Sequence, residues 1–218
     1  MITQTLNYAA LVERLPADAT LVLRHVRWEE YQELLEAVGE AAGLRISYNE
    51  GIMRVMTLSA EHENYVEVIQ DLVRLCTMRL GLRLRSFGSV TMKTERMAKG
   101  SEPDCCFYIQ SADRIGTRKR IDFASDPPPD IVVEVDIHHE SLSKLPIYAA
   151  LGVPEIWRYD GQRLSIYHWQ SDTYIPAAVS QALPLLTSEL LTEFLARTRD
   201  EDENAVLLAF ERWLQEPK

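Results

Sequence analysis

The chain has 218 residues, of which 46% are hydrophobic and 26% charged, and its formal net charge is −10. This composition is typical of a globular protein and excludes disordered and collagen-like classes. No apolar stretch approaches the roughly 20 residues of a membrane-spanning helix, and the N-terminus lacks the basic and apolar regions of a signal peptide. We therefore expect a single domain over residues 1–218 that is cytoplasmic and makes no membrane contact.

The acidic net charge at first disfavours nucleic-acid binding, because binding to phosphates relies on Lys and Arg. The charges are, however, unevenly distributed. Residues 79–120 contain ten basic and four acidic side chains, a net charge of +6, which leaves −16 for the remainder. This asymmetry permits a basic face on an acidic protein. Within it, Arg118, Lys119 and Arg120 are candidate contacts to nucleic acid, although such a run is also typical of a solvated loop.

The N-terminal part predicts helices and a hairpin. Residues 28–40 carry apolar side chains at helical spacing, which indicates an amphipathic helix. Two short strands are expected around Asn49-Glu50-Gly51, because this turn sequence favours a hairpin. Ser59, with acidic residues just after it, predicts a capping-box start for a long helix that Gly81 ends.

The rest of the chain predicts a mixture of strands and helices. Ser143 is the predicted N-cap of a helix that has Pro146 in its first turn and Gly152 at its end. Strands are predicted over 83–92, 104–109, 131–136, 155–160 and 163–169, and further helices over 187–196 and 200–215. This order indicates an α/β or α+β fold rather than a Rossmann repeat.

Three carboxylates are the strongest chemical feature. Alternation along strand 131–136 places Glu134 and Asp136 on one face, roughly 7 Å apart. Asp104 begins its strand while the other two end theirs, so antiparallel pairing would bring all three to one sheet edge. Such a set suits an oxygen-preferring cation, Mg²⁺ or Mn²⁺. Alternatively, Glu134 could form an ordinary ion pair and Asp136 could lie in solvent at the strand end. Asp104 could be a turn residue. Glu102 could be the ligand instead of Asp104.

Lys144 adds an ammonium group to this cluster. It lies at the start of its predicted helix, where the helix dipole disfavours a positive charge. A site that needs an ammonium beside carboxylates would explain the position, whereas a solvent-facing lysine is the alternative. A metal ion with an ammonium group suits phosphodiester hydrolysis by an activated water.

These residues fall into a recognisable pattern. The segments Glu102-Pro103-Asp104, Pro129 to Asp136 and Lys144-x-x-x-Tyr148-x-x-x-Gly152-Val153-Pro154-Glu155-x-Trp157 closely resemble the Uma-type (Uma-two) family of restriction endonucleases, within the PD-(D/E)XK nuclease superfamily. The resemblance spans roughly residues 45–195. It implies a restriction-endonuclease-like core, a central mixed β-sheet flanked by helices, with an N-terminal β-hairpin extension and a homodimeric assembly. We accordingly expect an N-terminal helix and hairpin (1–57), a nuclease-like core (58–170) and a C-terminal helical region (171–218).

The resemblance also implies roles for individual residues. Asp104 and Glu134 correspond to the metal ligands, Lys144 to the catalytic lysine, moved from strand to helix, and Glu63 to an additional acid. Asp136 stands where the superfamily has lysine, and we retain it as a catalytic and metal-binding candidate. The implied function is a Mg²⁺- or Mn²⁺-dependent endonuclease that hydrolyses DNA. The alternatives are an inactive nuclease-fold protein that binds nucleic acid or a protein partner, and a hydrolase of small phosphoesters.

Overall fold

The computed structural model describes residues 8–39, 43–123, 125–137 and 141–216. The helices in these ranges are α1 (Tyr8–Val12), α2 (Trp28–Val38), α3 (Ala60–Arg79), α4 (Ala112–Ile115), α5 (Leu145–Ala150), α6 (Ser188–Arg197) and α7 (Glu203–Gln215). The strands are β1 (Thr20–Arg24), β2 (Leu44–Asn49), β3 (Ile52–Thr57), β4 (Arg85–Phe87), β5 (Met92–Thr94), β6 (Lys99–Ser101), β7 (Cys105–Tyr108), β8 (Ile131–Val135), β9 (Glu155–Tyr159), β10 (Leu164–Gln170) and β11 (Thr173–Ala177). None of the described helices is long and apolar enough to cross a membrane.

Five strands form an antiparallel sheet in the order β1-β3-β2-β6-β5, which we call the N-terminal sheet. The predicted hairpin is its β2–β3 centre, and the turn between them uses Gly51 at a φ of +90°. Helix α2 covers one face, where Tyr31 and Leu34 pack with Ile46 and Met53. The sheet is more than a hairpin extension, because β5 and β6 come from residues after α3.

The other six strands form a mixed central sheet in the order β11-β10-β9-β8-β7-β4. Strands β8 and β9 are parallel, and the remaining neighbours are antiparallel. Helices α3, α6 and α7 pack on the face that carries Val133 and Val135, while α5 packs on the face that carries Val132. This α+β arrangement of a mixed sheet flanked by helices is the predicted fold.

Helix α3 begins where the sequence indicates. The Ser59 side chain accepts a hydrogen bond from the amide of His62 at 3.1 Å and is therefore the N-cap. The third helical position holds this histidine rather than an acid, so the predicted reciprocal contact of a capping box is wrong. Gly81 follows the helix at a φ of +65°, as expected for a helix end.

Other boundaries differ from the prediction. A single strand over 83–92 is wrong, because β4 joins the central sheet and β5 the N-terminal sheet. Ser143 is not the N-cap of α5. It lies in a short 3₁₀ turn, Leu142–Lys144, and the helix with Pro146 in its first turn follows that turn. Region 171–218 is not wholly helical, since positive φ angles at Ser171 and Asp172 make a tight turn into β11.

Candidate active site

Strands β7 and β8 bring two carboxylates together. They pair antiparallel with Cys105 opposite Val133, which places Asp104 beside Glu134 at the end of the pair. Both carboxylates share the α5 face, because Cys106 and Val132, two residues away from each, pack there. Each is only 1% exposed. The strands thus have the antiparallel pairing that convergence of these acids requires.

The carboxylate of Asp104 is held by three groups from three elements. Its Oδ2 accepts a hydrogen bond from the amide of Val135 at 2.7 Å. Its Oδ1 accepts one from Nε of Arg45, on β2, at 3.1 Å. Nε2 of His62, on α3, lies 3.1 Å from Oδ2. The N-terminal sheet therefore contributes directly to the site through Arg45.

Glu134 is held at both of its oxygens. Nζ of Lys144 lies 2.6 Å from Oε2 and donates a hydrogen bond to it. The Tyr148 hydroxyl, on α5, donates to Oε1, and Ser101 Oγ lies 3.0 Å from that hydroxyl. Lys144 itself is buried. The lysine therefore reaches the acid from the 3₁₀ turn just before α5, and the alternative of a solvent-facing lysine is excluded.

Asp136 shares the buried face but has other partners. Its Oδ2 accepts hydrogen bonds from the amide and the hydroxyl of Ser141, at 2.9 and 2.8 Å, and from the guanidinium of Arg158. These contacts tie the segment after β8 to β9. They favour a bracing role for Asp136, and the metal-binding role assigned to it remains a prediction.

Glu63 lies at the rim of the cluster, with its side chain 49% exposed. Its Oε1 lies 3.5 Å from Nη2 of Arg45 and 3.3 Å from Nδ1 of His62. Arg45 and His62 therefore each contact both Glu63 and Asp104. Its role as an additional catalytic acid remains a prediction.

Burial and neighbouring charges shift the pKa values of the two central acids in opposite directions. Burial opposes ionisation of Asp104, but His62, Lys144 and Arg45 outweigh it, so the pKa of Asp104 lies below its ordinary value. Burial raises the pKa of Glu134 to about 7, against the effect of Lys144 and with support from Asp104 and Asp136. Because of this difference, Asp104 is ionised at neutral pH while Glu134 is poised between its two forms.

The pKa values of the neighbouring side chains are shifted as well. Burial disfavours the charged form of Lys144, but the adjacent carboxylates of Glu134 and Asp104 hold its pKa above the ordinary value. Burial similarly opposes protonation of His62, yet contact with Asp104 raises its pKa. The pKa of Asp136 is raised, because burial outweighs the contacts with Ser141 and Arg158. The carboxylates of the cluster therefore favour the protonated forms of Lys144 and His62.

Glu102 is not placed as a competing ligand. Its Oε2 accepts a hydrogen bond from the amide of Ile46 at 2.9 Å, and its Oε1 accepts one from the Thr91 hydroxyl at 2.8 Å. It thus connects β2 to the loop before β5. Of the two acids around Pro103, Asp104 is the one whose carboxylate lies beside Glu134.

The three basic residues predicted to contact nucleic acid occupy different environments. Arg118 pairs with Asp126 at 3.4 Å and donates to the carbonyl of Ile115, so it braces its own loop. Lys119 and Arg120 are exposed, and their side chains have no ion-pair partner within the described ranges. They line a groove against β2.

The site offers oxygen donors of the kind a divalent cation prefers, from Asp104 and Glu134 on adjacent strands. Among the residues that the structure describes, no group of three or more His, Cys, Asp or Glu side chains is arranged to hold a metal ion. Each carboxylate is instead paired with a cation, Asp104 with Arg45 and Glu134 with Lys144. The carboxylate oxygens fit a divalent cation if Arg45 or Lys144 moves away from its carboxylate.

The sequence did not identify three of the polar groups in this cluster as site residues. Arg45 could have been suspected, because alternation places it and Ser47 opposite the apolar Ile46 on β2. Tyr148 was visible only as part of the family motif, and Ser101 carried no signal. Arg45 and Tyr148 contact the acids, and Ser101 contacts Tyr148, through pairings distant in sequence that local patterns do not contain.

The fold has a counterpart among solved structures. The chain is similar to a protein from Anabaena variabilis ATCC 29413, described as a "putative nuclease", with a TM-score of 0.53 and 16% sequence identity. The match covers 78% of this chain and 99% of the Anabaena chain. At this identity the likeness establishes a shared fold and nothing further. No curated protein matches the chain.

The family is established by sequence. The family model named Uma2, described as "putative restriction endonuclease", matches residues 28–199. Since this range covers well over half of the chain, the protein belongs to the Uma2 family. The resemblance found from the acidic and lysine motifs is thereby confirmed.

Proposed function

We propose that this protein is a metal-dependent endonuclease that hydrolyses phosphodiester bonds in DNA, with Mg²⁺ or Mn²⁺ as cofactor. The observation that carries this proposal is the buried pair of Asp104 and Glu134 on adjacent strands, with the ammonium of Lys144 2.6 Å from Glu134. Membership of the Uma2 family and the nuclease fold of the Anabaena structure support it.

Asp104 and Glu134 would hold the ion. When bound, a divalent cation withdraws charge from the phosphate and lowers the pKa of water. Lys144 keeps its positive charge, because its pKa is raised, and it offsets negative charge that develops on the phosphate. Tyr148 fixes the orientation of Glu134 through the second oxygen. Burial of the whole cluster strengthens each of these electrostatic interactions.

The test is cleavage of plasmid DNA and short duplexes by the purified protein with Mg²⁺, with Mn²⁺ and with EDTA. We expect cleavage only with a divalent cation, and a loss of roughly 100-fold or more in Asp104→Asn, Glu134→Gln and Lys144→Met. Asp113→Asn, at an exposed ion pair with Arg83, is the matched control that should keep full activity. A folded protein that neither binds Mn²⁺ nor cleaves DNA would overturn the proposal.

One observation favours a second function, a nuclease-fold protein that binds nucleic acid or a protein partner without hydrolysis. Asp104, Glu134 and Asp136 are each paired with a cation, Arg45, Lys144 and Arg158 respectively, so the cluster is balanced without a metal. This function predicts salt-sensitive DNA binding, no cleavage, and no change in binding when Lys144 is replaced by alanine.

The assembly and location are further parts of the proposal. The family resemblance supports a homodimer, and we propose separately that the protein acts in the cytoplasm. Light scattering of the purified protein should give a mass near twice 25.0 kDa. A mass of one chain at micromolar concentration would contradict the homodimer.

A further inference from the structure

A groove of about 470 Å³ lies between the N-terminal sheet and the loops of the central sheet. We call it the basic groove. Residues on its lining include Arg45, Phe87, Val90, Lys119, Arg120 and Ile121. The loop before β5 and the segment after α4 form one wall, and β2 forms the other.

The charges of the basic groove favour an anionic ligand. Among the residues that the structure describes, three cations, Arg45, Lys119 and Arg120, line it with one acid, Glu102. Both oxygens of Glu102 already accept hydrogen bonds from the protein. The side chains of Lys119 and Arg120 are exposed and have no ion-pair partner in the part of the chain that the structure describes. Two cations are thus free to meet phosphates.

The basic groove also has an apolar wall. Phe87, Val90 and Ile121 are partly buried, where they pack against the core under the central sheet. Cations along a groove with an aromatic or apolar surface between them are typical of sites that bind single strands, since phosphates meet the cations and bases meet the apolar surface. A continuous duplex would keep its bases stacked inside and could not use this wall.

The size of the basic groove agrees with that ligand. Pockets of roughly 300–1,000 Å³ hold small ligands, so about 470 Å³ accommodates one nucleotide rather than a duplex. Gly88 also lines an adjoining cavity of about 530 Å³, whose lining includes Arg74 and Arg85. The two cavities together offer a basic path for a strand longer than one nucleotide.

Arg45 connects the basic groove to the candidate active site. It lines the groove, and its Nε also donates to Asp104 at 3.1 Å. A strand lying in the groove would therefore approach the acidic cluster at this arginine. We propose that the basic groove binds a single-stranded segment of DNA, with phosphates at Lys119 and Arg120 and a base against Phe87, Val90 and Ile121. This inference rests on the proposed nuclease function and narrows its substrate to DNA with a single-stranded part.

The test measures binding of the full-length protein, in EDTA, to a fluorescent 20-nucleotide oligo-dT and to a blunt duplex of equal length. We expect the single strand to bind at least tenfold more tightly. On a single strand, each phosphate contact contributes roughly 0.7 to the magnitude of the slope of log affinity against log salt. The double variant Lys119→Ala/Arg120→Ala loses two such contacts, so the magnitude of its slope should be smaller by about 1.4. Phe87→Leu should weaken binding of the single strand roughly fivefold or more.

The matched control is Arg163→Ala/Arg212→Ala, which removes two exposed cations outside the basic groove. It should keep the salt slope of the wild type, and thermal unfolding should confirm that both double variants are folded. Equal or tighter binding of the duplex, an unchanged slope in the groove variant, or no binding at all would overturn the inference.

Cleavage assays with Mg²⁺ separate this inference from the proposed function. Single-strand binding that depends on the groove, without cleavage of any DNA, would support the groove and reject the nuclease. Metal-dependent cleavage of blunt duplex DNA, with no preference for single strands, would support the nuclease and reject the groove assignment.

Discussion

The guanidinium of Arg45 and the carboxylate of Asp104 meet at 3.1 Å, although one belongs to the N-terminal sheet and the other precedes a strand of the central sheet. Nη2 of the same guanidinium lies 3.5 Å from Glu63. One cation thus contacts Asp104, a predicted metal ligand, and Glu63, a predicted additional catalytic acid. This relationship makes Arg45 a competitor for any divalent cation at Asp104.

We therefore predict that Arg45→Gln binds Mn²⁺ roughly tenfold or more tightly than the wild type, because removal of one positive charge lessens the repulsion of the ion. Isothermal titration with Mn²⁺, in the absence of DNA, measures the affinity. Arg27→Gln, which removes an exposed partner of Glu30, is the control and should bind Mn²⁺ like the wild type. Unchanged or weaker binding in Arg45→Gln would show that Arg45 and the metal do not compete.

Asp136 could either stabilise the fold through its contacts with Ser141 and Arg158 or bind a metal ion, and one substitution distinguishes these roles. Its Oδ2 accepts two hydrogen bonds from Ser141 and one from Arg158, so Asp136→Asn leaves buried donors without a full acceptor. We expect the free energy of unfolding to fall by about 1–3 kcal/mol, measured with urea, while the affinity for Mn²⁺ stays the same. Asp113→Asn, in an exposed ion pair, should cost less than about 1 kcal/mol. A large loss of Mn²⁺ affinity would instead make Asp136 a ligand.

Gly100 lies under the ring of Tyr31, where α2 crosses β6. A Cβ at this position would overlap the tyrosine hydroxyl and lie 2.8 Å from Cζ, and Tyr31 is fully buried and has no room to move. We predict that Gly100→Ala lowers the free energy of unfolding by about 1–3 kcal/mol. Gly88→Ala is the matched control, since its Cβ would meet no atom within 4 Å.

Thermal and urea unfolding of both glycine variants test this prediction. Adding Tyr31→Phe to Gly100→Ala should recover part of the loss, because it removes the overlapping hydroxyl. Equal stability of the two glycine variants would mean that α2 does not pack on β6 as the structure shows.

The acidic cluster predicts that the metal-free protein loses stability as pH rises from about 4.5 to 7. Between the ordinary pKa of Glu134 and its raised value of about 7, the folded state retains a proton that the unfolded state has released. The raised pKa of His62 acts in the same direction at the upper end of this range. Asp104, whose pKa is lowered, changes stability only at more acidic pH.

Urea unfolding at pH 5 and pH 7.5 in EDTA measures this effect. We expect Glu134 to account for a decrease on the order of 2–3 kcal/mol, and Glu134→Gln to remove most of that pH dependence. A wild type whose stability rises over this range, or a Glu134→Gln variant with the same slope, would contradict the raised pKa.

Local patterns in the sequence predict much of the secondary structure and single out Asp104 and Glu134 as candidate site acids. Helical spacing from Trp28 and the cap at Ser59 located α2 and α3, and alternation put Glu134 on one face of β8. These features depend on neighbours along the chain, so periodicity and capping chemistry contain them. The family motif also relates Asp104, Glu134 and Lys144, which come from separate segments of the sequence.

Which cations face those acids depends on the tertiary fold. Arg45 is 59 residues from Asp104 in sequence, and Arg158 is 22 residues from Asp136. The division of residues 83–92 between strands of two different sheets likewise depends on contacts distant in sequence. Such pairings depend on the order of strands across both sheets and on which long side chains reach the shared edge. Local periodicity does not encode that order, because the same strand pattern is compatible with several neighbours.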